Sequence, residues 1–402
     1  MLFSLATSAM MAKRDIKSAF RLMPIYPGDF HLMGLQFNNQ YYVDKCLPMG
    51  LSIAPALFES FSTFIHWLVS FKTGIQTLDH YLDDFIFGSA AGSNNCNMLV
   101  STFEEVCTEM GVPVAVEKSV GPTTVLTFLG LELDTVQMTV RVPAKKVEEL
   151  LKLLQNCLVK KRLTLKELQF LTGKLSFCSQ AVRASRAFLR RFYDAMCGLK
   201  KSYYKIRVNG EMREDILMWI QFIEDFNGVV HIPNKVWLDN SVIHLYTDSA
   251  GGATLGCGCY FGGNWAYCPW PVQWQGQPIL SDIKFLEMVP VLLAIWLWGV
   301  FLRDRKIKFH IDNLGLVEVI NKQSSKSKRL MFLVRTFVLL VMKNSVVFKA
   351  VHISSKSNYI ADAISRKQFH RLQQLAPEAQ ASPESVPPEF LLMICNKRLI
   401  DC

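Results

Sequence analysis

Residues 80–88, HYLDDFIFG, put two adjacent carboxylates, Asp83 and Asp84, between apolar and aromatic residues on both sides. Short apolar runs flanking turn-forming acids predict two strands joined by a tight turn, so the fold must present both charges at one hairpin tip. A solvated Asp-Asp turn satisfies this pattern. So does a pair of carboxylates held close to bind divalent cations, as in phosphoryl-transfer centres. A third acid delivered to the same place favours the second reading.

At 402 residues the chain has room for two or three domains, each with its own core. Half the residues are hydrophobic and 19% are charged, which argues against extensive disorder. The 11 cysteines contain no C-x-x-C pair and suit reduced, structural thiols better than a disulfide framework. Cys257 and Cys259 alternate along an expected strand, a poor arrangement for zinc. The N-terminal MLFSLATSAMMAKR is apolar but lacks a basic leading region, which argues against a signal peptide. The longest apolar run, residues 288–302, starts beside Glu287, contains Pro290 and is short for a bilayer span, so it reads as a buried helix. The expectation is an intracellular protein with no membrane partner.

Positive charge is concentrated in the middle. Residues 141–210 hold 17 Lys and Arg against 4 acids, a local +13 that exceeds the +10 of the whole chain. VEELLKLLQNCLV and LKELQFLTGKLSFCSQAVRASRAFLRRFY space their apolar residues as helices do, with the basic residues mostly off the apolar stripe. Such a face can be merely solvated. It is also the electrostatic footprint of a nucleic-acid partner.

The third acid comes early, in MAKRDIKSAFRLMPI, where Asp15 falls at the end of an expected strand. CLPMGLSIAPALFESFSTFIHWLV then reads as a Pro-Met-Gly turn followed by a helix. Acid-bearing strand, glycine turn with helix and acid-pair hairpin together resemble the palm of reverse transcriptases. DIKSAF, LPMGLSIAPALFES, YLDD, EKS and TFLGLEL look like its successive motifs, in order. The resemblance implies that Asp15 and Asp83, supported by Asp84, hold two metal ions for nucleotidyl transfer. It implies that Phe20 packs under the nucleotide sugar, that Met49 and Gly50 line the nucleotide site, and that Lys118 donates a proton to pyrophosphate. Relatives usually carry Gln or Phe where Met49 stands. For Phe20 and Lys118 the plain alternatives are a core side chain and a surface lysine.

Further on, VIHLYTDSAGGATLGCGCYFGGNWAYC alternates through glycine turns as three antiparallel strands, with Asp248 on the first. A helix beginning near Glu287 follows, then the strand KIKFHIDN ending at Asp312. Last comes a strand, polar loop and helix in which Asn358, Asp362 and Arg366 share a face. Each acid alone could be an ordinary cap. Together they resemble the ribonuclease H fold and its Asp, Glu, Asp, Asp metal set, which implies that Asp248, Glu287, Asp312 and Asp362 are ligands and that His352 assists catalysis or product release. HISSKSNYIADAISR is close to the nuclease motif of retrotransposon polyproteins.

The expected architecture is therefore multidomain, α+β with α/β. It comprises a reverse-transcriptase palm over 1–140, a basic helical thumb and connection over 141–240, and an RNase H-like mixed sheet with flanking helices over 241–372. A Pro-rich linker or tail, 373–402, completes it. Asp15 lies so near the start that the fingers are expected to be largely missing and part of the palm's apolar face uncovered. The motif order looks most like tyrosine-recombinase retrotransposons of the DIRS and Ngaro type, then gypsy-type LTR elements. The implied cofactor is Mg²⁺, two per centre, with Mn²⁺ as the alternative. The implied partners are an RNA template, a DNA primer, RNA/DNA hybrid and dNTPs. A nuclease with a silent polymerase half and a non-catalytic nucleic-acid-binding relic are the competing expectations.

Overall fold

The computed structural model describes residues 7–182, 185–228, 230–231 and 236–396. The chain divides into two compact units, Met1–Lys146 with Gly228–Pro233, and Val147–Asn227 with Asn234–Cys402.

The first unit is built on β1 (Met10–Asp15). An exposed hairpin, β2 (Gly34–Phe37) and β3 (Gln40–Val43), precedes helix α1 (Ala54–Thr73). The predicted hairpin follows as β4 (Leu78–Tyr81) and β5 (Asp84–Ser89), and then α2 (Asn95–Glu109). With β6 (Val120–Thr123) the main sheet runs β4-β5-β1-β6. A second sheet comprises β7 (Val125–Phe128), β8 (Leu131–Asp134), β9 (Thr139–Arg141) and the short β12 (Val230–His231). Helix α1 stops at Thr73, because Gly74 takes the left-handed conformation (φ 69°) and its N–H caps the Ser70 carbonyl. Phe58 and Ile65 of α1, Leu99 and Phe103 of α2, and Phe85 and Phe87 of β5 fill the core between helices and sheet. On the other side of α1, Phe64, Trp67 and Phe71 stay exposed and stack in a row, with centroids 5.9 and 5.3 Å apart.

The second unit opens with a group of helices. These are α3 (Ala144–Val159), which crosses the unit boundary, α4 (Leu165–Cys178), α5 (Arg190–Met196) and α6 (Gly210–Asp225), with a two-stranded sheet of β10 (Arg162–Thr164) and β11 (Lys205–Arg207). A capping box between Thr164 and Glu167 starts α4. The expected long helix after residue 165 ends at Cys178. Trp219 and Phe222 of α6 are fully buried core residues. After α7 (Asn240–Ile243) come β13 (Leu245–Ser249), β14 (Gly256–Phe261), β15 (Asn264–Pro269), α8 (Ile283–Trp298), β16 (Lys306–Ile311), α9 (Leu314–Lys322), α10 (Lys328–Lys343), β17 (Val347–His352) and α11 (Tyr359–Ser365). The sheet order is β15-β14-β13-β16-β17, antiparallel on the β14 side of β13 and parallel on the other. Helix α8 with the turn after it spans Ile283–Leu302, longer than its apolar run suggested and long enough to cross a membrane. However, 78% of its most apolar stretch is buried against the protein.

Asp215 of α6 ties that helix to two others, pairing with Arg191 of α5 (2.9 Å) and Arg335 of α10 (3.3 Å). Burial outweighs the two guanidiniums and pushes the Asp215 carboxyl up to about 6. Replacing Asp215 with Ala strands the mostly buried Arg335 charge, and urea unfolding should show a loss of about 3–5 kcal/mol. The Pro-rich segment expected to be a linker is instead seated on the sheet. Trp265 Nε1 donates to the Gln380 carbonyl at 2.8 Å, Glu384 N–H donates to the Trp265 carbonyl at 2.8 Å, and Trp298 Nε1 donates to Glu384 at 3.1 Å. Helices α12 (Phe369–Leu375) and α13 (Pro388–Ile394) bury Leu372, Phe390 and Ile394 completely.

Candidate active centres

The β4–β5 hairpin closes with the two-residue turn Leu82-Asp83, since Tyr81 pairs with Asp84. Leu82 sits at φ 53°, where a branched side chain is strained, so the hairpin tip is held by its surroundings rather than by local preference. Register places Asp84 directly opposite Asp15 at the end of β1. Asp83 joins them through its carbonyl, which accepts from Ile16 N–H at 3.0 Å. Three acids are thus gathered at one edge of the main sheet.

Their charges are poorly solvated. Burial raises the Asp83 and Asp84 carboxyls above the usual range, and the Asp15 charge raises both further. Lys118 balances Asp15, with Nζ 3.1 Å from each carboxylate oxygen, and this bond raises the lysine's own pKa. Phe20, five residues after Asp15, packs edge-on against Phe58 with centroids 5.4 Å apart. Met49 is 82% exposed in the turn before α1, beside Gly50 at φ 97°. Arg14 is occupied structurally, donating to Glu104 at 2.7 Å and to the Lys13 and Val120 carbonyls.

In the second unit Asp248 lies within β13, Glu287 in α8 and Asp312 directly after β16. One carboxylate oxygen from each falls within 4.8 Å of the others. Burial is the main cause of a pKa of about 7 at Asp248 and of the raised pKa of Glu287; the Asp312 and Asp362 charges add to the first, and the Asp248 and Asp312 charges to the second. Two hydroxyls that the sequence reading missed hold this cluster, Ser365 Oγ donating to Asp248 at 2.6 Å and Ser249 Oγ donating to Glu287 at 2.9 Å. Their signal was adjacency, Ser249 following Asp248 and Ser365 lying three residues after Asp362. Burial raises the Asp312 carboxyl, and Ser355 Oγ, donating to it at 3.4 Å, and the nearby His352 offset part of that rise.

Asp362 is on the expected helix, which approaches closely because Gly258 has no side chain; a Cβ there would meet Ile364 at 2.5 Å. Its carboxylate does not join the other three. Arg366 Nε at 2.5 Å and Arg371 Nη1 at 3.4 Å donate to it instead. Asn358 is buried and donates to the Thr247 carbonyl at 2.9 Å, tying the start of α11 to β13.

The fold is a reverse-transcriptase palm accompanied by further domains. Residues 1–133 match the family model described as "Reverse transcriptase (RNA-dependent DNA polymerase)". The chain resembles the foamy viral protease-reverse transcriptase dRH solved with double-stranded DNA, at TM-score 0.50 and 16% identity, covering 87% of this chain and 58% of that one. Among curated proteins, Protein P of Heron hepatitis B virus is 26% identical over 184 residues, 45% of this chain and 23% of that protein. The Genome polyprotein of Petunia vein clearing virus is 26% identical over 132 residues, 33% of this chain and 6% of that protein. This chain therefore spans under a quarter of the length of these relatives.

Without divalent ions, the folded second unit keeps a proton on Asp248 that the unfolded chain has released. Its contribution to stability is full below about pH 4 and is lost as pH rises through about 7, a loss on the order of 4 kcal/mol. Melting curves in a chelator should fall in temperature between about pH 5 and about pH 8, and Asp248→Asn should flatten the fall.

Proposed function

We propose that this chain is an RNA-directed DNA polymerase with ribonuclease H activity, from a retroelement of the tyrosine-recombinase type and acting inside the cell. The observation that carries the reading is the convergence of Asp15, Asp83 and Asp84 in the segment that matches the reverse transcriptase model. The tight gathering of Asp248, Glu287 and Asp312 extends it to a second centre.

Both centres offer only oxygen donors from crowded carboxylates, a set that suits hard divalent cations such as Mg²⁺, with Mn²⁺ as the alternative. Asp15 and Asp83 would hold them in the palm, and Asp248, Glu287, Asp312 and Asp362 in the nuclease centre. Bound there in pairs, such cations would lower the pKa of the attacking hydroxyl or water and stabilise the charge on the leaving oxygen. Asp84 supports the palm pair from opposite Asp15. Lys118, already at the carboxylate, is placed to protonate pyrophosphate. Phe20, fixed against Phe58, would press on the sugar of a dNTP and exclude a 2′-hydroxyl, with Met49 and Gly50 along the same pocket. In the nuclease centre Ser365 and Ser249 orient Asp248 and Glu287, and His352 would assist product release beside Asp312. Asp362 would enter once Arg366 and Arg371 turn toward a nucleic-acid phosphate, for which arginines have the matching geometry.

The basic stretch 141–210 supplies the positive surface for an RNA template, a DNA primer and their hybrid. A nuclease acting alone is the second reading, favoured because its three acids gather without a lysine among them. The deciding experiment gives the purified chain a primed RNA template, dNTPs and Mg²⁺. Primer elongation with RNA fragmentation supports the proposal, and fragmentation alone supports the second reading.

A further inference from the structure

Between α1 and β4 lies a group of side chains that neither catalytic centre uses. One ring nitrogen each of His66 and His80 and one carboxylate oxygen of Asp79 fall within 4.8 Å of one another. The two imidazoles meet edge to face with Nδ1 atoms 2.9 Å apart, an arrangement in which one ring must give up its acceptor lone pair to a neighbouring N–H. The His80 side chain is only 8% exposed, stacked on Phe85 at 5.2 Å, and its buried Nε2 makes no hydrogen bond. Glu59 Oε1 nevertheless lies 3.3 Å from that nitrogen, while Glu59 Oε2 accepts from Leu82 N–H at 3.3 Å.

We infer that His66, Asp79 and His80 form a binding site for a single transition-metal ion of the Zn²⁺ class, separate from both carboxylate centres. Imidazole nitrogens with one carboxylate select zinc, cobalt or nickel over magnesium, whereas the all-oxygen centres favour the reverse. Nitrogens 2.9 Å apart fit an ion about 2.1 Å from each with an angle of about 90°, and an opening of about 0.5 Å would give the tetrahedral angle. Glu59 completes the arrangement found around metal-bound histidines. One nitrogen of His80 would face the ion, and Glu59 Oε1, 3.3 Å from the opposite nitrogen, is near enough to accept from it and fix the tautomer once an ion is bound.

The site would act as a staple. His66 belongs to α1 and Asp79 and His80 to β4, and the next residues of the chain form the strained Leu82-Asp83 turn. An ion bound there fixes the helix to the strand that carries the palm acids and should raise the melting temperature without entering the chemistry.

The test is Co²⁺ titration of the full chain in excess Mg²⁺, which occupies the carboxylate centres, followed by visible absorption and by competition with Zn²⁺. Wild-type protein should take up one equivalent with the bands of nitrogen ligation, displaced by Zn²⁺. His66→Gln should weaken binding by at least about 100-fold, Asp79→Asn should weaken it also, and Asp248→Asn should leave it unchanged. Asp79 is exposed, so its variant keeps the test valid if a histidine variant misfolds by circular dichroism. Equal titrations for wild type, His66→Gln and Asp79→Asn, or no uptake by folded wild type, would overturn the inference and leave the pair as a simple imidazole hydrogen bond. Neither result depends on either catalytic activity.

Discussion

Asp312→Asn is expected to reduce cleavage of the RNA strand of a hybrid by at least about 1000-fold while primer extension is retained. Asp312 follows the last residue of β16 and supplies one of the three oxygens that converge within 4.8 Å. The amide keeps the shape of the side chain and can still accept from Ser355, so the loop has no reason to move. What disappears is a negative charge whose proximity helps raise the Glu287 carboxyl. Without divalent ions the variant should therefore be as stable as wild type or slightly more so, because like-charge repulsion has been relieved. Lost cleavage with retained or raised melting temperature separates an effect on the centre from an effect on folding. Cleavage that persists in this variant would remove Asp312 from the mechanism.

Asp83→Asn is expected to have the converse effect, abolishing primer extension to a similar degree and sparing hybrid cleavage. Asp83 is the second residue of the hairpin turn, a position that Asn occupies readily. Its backbone carbonyl keeps the bond from Ile16 N–H, and Lys118 keeps its contact with Asp15. The substitution therefore removes one carboxylate charge and little else. Loss of both activities in a folded variant would contradict the assignment of separate centres.

The parts of this architecture that could be read in advance are those where chemistry is written locally. The acids flanked by β-forming residues in HYLDDFIFG predicted a hairpin, and Asp15 at a strand end predicted an acid facing it; the β1–β5 register delivers that meeting. The buried run after Glu287 read correctly as a core helix, because its apolar residues surround it on all sides. Contacts made by distant residues were not legible. Nothing in QLAPEAQASPESVPPEF marks Glu378, Gln380 and Glu384 as partners for Tyr260, Trp265 and Trp298, so its proline content suggested a linker. Nothing in the sequence around Asp215 marks it as the partner of two arginines from other helices. Asp362 matched its motif, yet Arg366 one turn along and Arg371 on α12 compete for its carboxylate. His66 and His80 lie 14 residues apart on a helix and a strand, a spacing that no local pattern flags.

The most direct test of two centres on one chain is a single reaction read twice. A labelled DNA primer on a differently labelled RNA template, with dNTPs and Mg²⁺, reports extension and RNA cleavage together for wild type, Asp83→Asn and Asp312→Asn. The account predicts both signals in wild type, cleavage alone in Asp83→Asn and extension alone in Asp312→Asn. Wild-type protein that is folded and binds the duplex but yields neither signal, or variants that lose both together, would contradict it.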